Sequence, residues 1–275
     1  MLRMLILFSL LSSFSSGVMA QNTSLTFGIV PQQSAKRLAA LWTPILEQIS
    51  QTSGINIEFN TARDIPTFEK RLAAGEYDFA YMNPYHFVVF NKEPGYQAIA
   101  KQLGKTIQGV IVTRADSNIR KIEDLEGTQL AFPAPAAFAA SILPIAELKK
   151  HGVSFTTQYV SSHDSVYLNV SKGFFLAGGG IKRTLNNMPD AIKSQLITIW
   201  ETKGYTPHAF AVHPRVSETT KQKVMNALDD LNNSEQGKSL LSTINFKGID
   251  SAKNSDWDDV RALNIELLLN ESSTN

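Results

Sequence analysis

The sequence predicts an α/β protein of two lobes, each a mixed sheet flanked by helices, joined by two hinge crossings. Three observations predict it. Strand-like and helix-like periods alternate as β-α-β-α-β up to Met82. A second alternating series runs from Val110 to Trp200, enough to form its own sheet. Helical periods over 219–232 and 255–269 then return to pack on the first series. A single larger α/β domain is the alternative reading.

The first strand is read over 25–30 and stops at Pro31. Leu38, Leu41, Trp42, Ile45 and Ile49 recur at spacings of three and four, which predicts an amphipathic helix closed by Gly54. Ser34 is the expected N-cap of that helix. Ile55 to Phe59 alternates as a strand, Ile65 to Ala74 as a helix, and Tyr77 to Met82 as a strand. In the second series, 110–112, 129–132, 155–160 and 196–200 read as strands, and 136–150 and 166–172 as helices. Asp164 is read as a helix N-cap. Gly178-Gly179-Gly180 lacks either phosphate-loop spacing and reads as a flexible turn, with Lys182 and Arg183 solvated beyond it. The expected lobes are 21–105 with 208–275, and 106–207.

Residues 1–20 read as a cleaved secretory signal: Arg3, an apolar run from Met4 to Leu11, and Val18-Met19-Ala20 before the cut. The mature chain is expected to begin near Gln21. The chain has no Cys, which excludes a lipid anchor, disulfides, thiolate metal sites and a Cys nucleophile. A periplasmic location is expected. Removing Arg3 with the signal leaves 25 basic and 25 acidic residues, and no basic cluster stands out, which argues against nucleic acid as a partner.

Chemistry-bearing patterns are few. The histidines His86, His151, His163, His208 and His213 show no metal-ligand spacing, so no metal or other cofactor is expected. There is no nucleophile elbow, and the pairs Asp229-Asp230 and Asp258-Asp259 fall on helical surfaces, so no enzyme is expected. Ligands of such sheets sit beyond the carboxyl ends of strands. That directs attention to 31–34, 81–87, 133–141 and 161–164. Gln32 and Gln33 can cap the first helix or contact a ligand. Tyr81, Asn83 and Tyr85 follow a strand, and His86 reads as a surface residue.

At these loops the chain resembles the periplasmic phosphate/phosphite/phosphonate-binding proteins of ABC transporters, a branch of the type 2 periplasmic-binding fold. The resemblance rests on 27–31, 75–84, 122–127, 162–166 and 170–173. It implies a monomer that closes its lobes on a small anionic solute and docks on an ABC permease. A sensory protein reporting to a histidine kinase or diguanylate cyclase is the alternative. In phosphonate binders of the family a Ser-Thr-Ser-Gly stretch holds the phosphonate oxygens; it falls here on Ala137-Phe138-Ala139-Ala140, without a hydroxyl. A family Asp falls on Leu176, while the family His is kept as His163. The fold is therefore expected to be retained and the phosphonate specificity lost or altered. The expected ligand residues are Gln33, Tyr81, Asn83, Tyr85, Ala137, Phe138 and His163. A pocket of Phe138, Tyr81, Tyr85 and Phe87 would suit a ligand with an apolar or planar part and one anionic end.

Overall fold

The computed structural model describes residues 24–267; the expected signal and the last residues of the chain lie outside them. In chain order the first sheet is built from β1 (Leu25–Ile29), β2 (Ile57–Asn60), β3 (Phe79–Met82) and β4 (Gln97–Gln102). Between these run α1 (Ala35–Ser53), α2 (Ile65–Ala73) and α3 (Pro84–Lys92). The chain then crosses to β5 (Gly109–Arg114), β6 (Thr128–Phe132), α4 (Leu143–Lys150), β7 (Phe155–Tyr159), α5 (His163–Ser171) and β8 (Ala177–Ile181). Short helices α6 (Lys182–Asn186) and α7 (Asp190–Lys193) lead to β9 (Leu196–Glu201). The chain crosses back into β10 (Ala209–Val212), α8 (Glu218–Asn233), α9 (Glu235–Thr243), β11 (Ile249–Ser251) and α10 (Asp258–Arg261).

Two mixed sheets result. The first has the order β11-β4-β10-β3-β1-β2, and the second β7-β6-β8-β5-β9. In the first, β1 lies parallel to β2 and β3, as β-α-β connections require, and β10 returns antiparallel between β3 and β4. In the second, β6 lies parallel to β7 and β8, while β5 is antiparallel to β8 and β9. The two crossings pair with each other: Ile107 N donates to Tyr205 O at 2.8 Å, and Tyr205 N to Ile107 O at 3.1 Å. This isolated antiparallel bridge ties the two crossings between the lobes together.

Local chemistry sets the element ends. Ser34 caps α1 by accepting from Arg37 N, and Gly54 ends it at φ 68°. Apolar residues at helical spacing drive α1 onto the sheet, where Trp42, Tyr81, Phe210 and Phe246 form one aromatic cluster. That core continues into Ala136–Ala140 and Ile181 of the second lobe, so the lobes pack closed on each other.

Several sequence expectations change in three dimensions. The N-cap of α5 is Ser162, which accepts from Ser165 N, and Asp164 lies in the first turn. The expected helix over 136–150 begins as a π turn, Phe138–Ile142, before α4. The glycine triplet is not a turn but the middle of the buried strand β8. The period beyond residue 255 forms a short 3-10 turn, Asn254–Trp257, and the one-turn α10.

Candidate functional site

The loops beyond the carboxyl ends of β1, β3, β6 and β8 meet where the two lobes close. From the first lobe, Gln32 follows β1 and Asn83 follows β3. Asn83 caps α3 by accepting from His86 N at 2.8 Å, and its amide donates across the cleft to Ala136 O at 3.2 Å. His208, in the return crossing, accepts from Gln32 Nε2 at 2.8 Å. From the second lobe, His163 opens α5 and its backbone N–H donates to Gln32 O at 3.2 Å.

The facing wall is backbone. A Cβ at Gly109 would stand 1.9 Å from Ala139 O, and one at Gly179 would stand 2.0 Å from Ala140 O. Only glycine lets the π turn lie this close to the sheet. With the Ala139 carbonyl turned down on β5, the trans peptide turns the Ala140 N–H away from the sheet. The first N–H groups of this helical stretch have no intrahelical acceptor and carry its positive dipole end. The small residues Ala137, Ala139 and Ala140 leave that backbone approachable.

Asn83, Ala137, Phe138 and His163 line one cavity together with Gln32 and His208. In the closed lobes it measures about 10 Å³, the size of a single water. Capture of any larger solute therefore requires the lobes to part about the hinge. Of the other expected ligand residues, Gln33 and Tyr81 line a neighbouring space beside α1 and Arg183. Tyr85 lines a groove against Val260 and Arg261 that shares no residue with the cleft. Phe87 packs on Trp257 at 4.6 Å, and the Phe138 ring packs edge-on to Tyr205 at 5.4 Å. The expected aromatic lining thus reduces at the cleft to Phe138 alone, because helix α3 turns its aromatic face into the lobe 1 core. His86 is fully buried, not a surface residue, with Nε2 2.9 Å from Glu69 Oε1.

Two residues of the site carried no expectation as ligand contacts, His208 and Arg183; Gln32 was expected either to cap the first helix or to contact a ligand. Arg183 is half-buried rather than solvated. Its Nη1 donates to the Tyr81 hydroxyl at 2.8 Å and its Nη2 to Gln32 Oε1 at 2.9 Å. The guanidinium also lies 5.5 Å from the Phe246 ring centroid. A signal for it exists: Arg183 follows the carboxyl end of β8, a strand parallel to β6, so both loops emerge at one sheet edge.

Burial, then the Arg183 charge, pushes His163 down to about 3, and the same causes hold His208 well below the ordinary histidine range. Both imidazoles are neutral at pH 7. Buried His163 Nδ1 has no partner among the described residues, which leaves it available to a solute. Neutral donors and backbone N–H groups line the cavity with no carboxylate among the described residues, and the Arg183 guanidinium stands behind Gln32, outside the lining. Among the described residues no group of acidic, histidine or cysteine side chains could hold a metal ion. No described helix is long and apolar enough to cross a membrane.

Two α/β lobes that close a small polar cleft about a paired hinge define a solute-binding protein. Residues 27–257 match the ABC transporter phosphonate periplasmic substrate-binding protein family, and the chain belongs to it. It is 24% identical over 230 residues to the phosphate-import protein PhnD of Mycolicibacterium smegmatis, covering 75% of this chain and 72% of that one. Its fold matches a binding protein of an ABC phosphonate transporter from Pseudomonas aeruginosa (TM-score 0.81, 16% identity, 88% of this chain and 85% of that one). It also matches PhnD1 of Prochlorococcus marinus, solved with methylphosphonate (TM-score 0.79, 18% identity, 88% and 99% covered). Membership implies a small-molecule ligand, an ABC permease partner and a place outside the cytoplasmic membrane, and the family is one of transport proteins rather than enzymes. These relatives lend the sensory alternative no support.

Proposed function

We propose that the protein captures a small anion at the Phe138 turn and hands it, as a monomer freed by cleavage after Ala20 and carrying no lipid, to an ABC permease. The observation that carries the reading is the juxtaposition at the cleft. The open backbone of Ala137–Ala140, seated on Gly109 and Gly179, faces Asn83, His163, Gln32 and His208 under the Arg183 charge. Anions bind at such helix starts without side-chain hydroxyls. One relative is a phosphate-import protein and another was solved with methylphosphonate; the Ser-Thr-Ser-Gly stretch that the family resemblance implies has no hydroxyl counterpart here at 137–140. We therefore assign the anion to backbone N–H groups and neutral imidazole and amide donors. His163, Asn83, Ala137 and Phe138 contact it, Gln33 and Tyr81 support the wall beside it, and Tyr85 is withdrawn from the ligand set.

The test is thermal unfolding of residues 21–275 with phosphate, phosphite, methylphosphonate, 2-aminoethylphosphonate, sulfate, small carboxylates, neutral sugars and amino acids. A ligand at about 1,000 times its Kd adds roughly 4 kcal/mol, a shift on the order of 10 °C for this size. A shift with at least one oxyanion is the expected result. A shift with neutral sugars or amino acids alone would remove the anion assignment.

A further inference from the structure

Beside the cleft, on the hinge side, lies a larger chamber of about 360 Å³. Ile107, Ile181 and His208 line both spaces and together form their common wall, His208 being its polar member. The chamber is lined by Lys105, Lys182 and Arg183 with side-chain amides, and by no carboxylate among the described residues. The charge of Lys182 is answered by Glu201, whose two carboxylate oxygens both lie 2.9 Å from Nζ. Arg183 differs. Its hydrogen bonds end on the Tyr81 hydroxyl and the Gln32 amide oxygen, both neutral. A guanidinium has five N–H donors, so three remain after these two.

A half-buried cation beside two buried neutral histidines, with no ion-pair partner among the described residues, is an arrangement that costs free energy until an anion completes it. Burial first, and the Arg183 charge second, disfavour protonation of both His163 and His208. The chamber is also far larger than phosphate or methylphosphonate needs, and its volume is that of a site for an organic molecule. Its charge has one sign, so an ammonium-bearing substituent would be repelled and an acidic one attracted.

Resting on the reading of the cleft as the solute site, we propose that the solute is a two-ended anion. Its oxyanion head sits at the Phe138 turn, and a second acidic group reaches past His208 into the hinge-side chamber, where Arg183 and Lys105 receive it. Arg183 is then the specificity-determining residue, binding the second acid with the donors it does not spend on Tyr81 and Gln32.

Isothermal titration calorimetry on residues 21–275 tests this with matched phosphonates that differ only in the far end: methylphosphonate, 2-aminoethylphosphonate, phosphonoacetate and 3-phosphonopropionate. The expected result is that one of the two phosphonocarboxylates binds at least about tenfold more tightly than methylphosphonate, and 2-aminoethylphosphonate more weakly than either acid. R183Q is expected to abolish that ratio. K105Q, at an exposed position where folding is not at stake, is expected to reduce it and serves if R183Q fails to fold. Equal affinity across the four, or preference for 2-aminoethylphosphonate, overturns the two-ended assignment and leaves the cleft reading standing. A ratio unchanged in both variants overturns the role of the chamber. No binding of any of the four or of phosphate, sulfate and carboxylates overturns both readings.

Discussion

The lobe 1 wall of the cleft presents side chains, Gln32, Asn83 and His208, at the ends of strands, whereas the lobe 2 wall presents backbone, the turn through Ala137–Ala140 laid on Gly109 and Gly179. On the first wall the Gln32 and Asn83 amides and His208 Nε2 are each held by a hydrogen bond that one substitution can remove. On the second the geometry is set by contact between a turn and a sheet, with no space for another carbon. Side-chain walls can be retuned residue by residue. A backbone wall keeps its shape while the side chains of the turn vary, so Ala137–Ala140, without a hydroxyl, still offer N–H groups.

The most severe way to break the comparison is to fill the space beneath the backbone wall. Gly179→Val places carbon where Ala140 O now stands 2.0 Å from the Cβ position, and the turn must lift or the sheet distort. We expect a loss of about 3 kcal/mol, roughly 6–12 °C in Tm, with loss of anion binding. A Tm within 1 °C of the parent would show that the sheet does not set the turn.

Acidification presses on the side-chain groups of both walls. His163 is held near 3 when folded and titrates at its ordinary value when unfolded. The unfolded chain therefore binds the extra proton, and the stability from keeping this imidazole neutral is complete above about pH 6.5 and lost progressively toward pH 3. Between pH 6.5 and pH 5 the loss from His163 is about 2 kcal/mol. Urea titrations at pH 7 and pH 5 check this, and H163Q is expected to reduce the difference by about that amount, leaving the His208 contribution. A steeper dependence in H163Q would contradict the assignment.

The finest distinction comes from two helix caps of similar strength. Asn83→Ala removes the α3 cap and the bond across the cleft to Ala136, and Ser162→Ala removes only the α5 cap. Each costs about 1 kcal/mol of stability. Asn83→Ala is expected also to weaken oxyanion binding, while Ser162→Ala leaves it within about twofold. Equal effects on binding would mean that the cleft does not distinguish a cap from a contact.

Much of this protein was legible in one dimension. The spacing of Leu38, Trp42, Ile45 and Ile49 determines α1, and Ser34 and Gly54 determine its ends, because helix period and capping are local. The alternation of strands and helices up to Met82 determines a parallel core for the first sheet, and the loops after β1, β3 and β6 could be singled out because sheets bind at their carboxyl ends. Tertiary structure alone decided which side chains in those loops reach the cleft. Tyr85 and Phe87 look like pocket aromatics in sequence, yet α3 rotates them into the lobe 1 core, and a helix's rotation is set by what packs on it. Gly178-Gly179-Gly180 reads as a turn by composition but is a central strand, because its glycines answer the close approach of the 138–142 turn and α5, partners distant in the chain. Arg183 reads as a surface cation, and it becomes the charge of the site only because lobe closure brings Tyr81 and Gln32, 102 and 151 residues away along the chain, within hydrogen-bond reach.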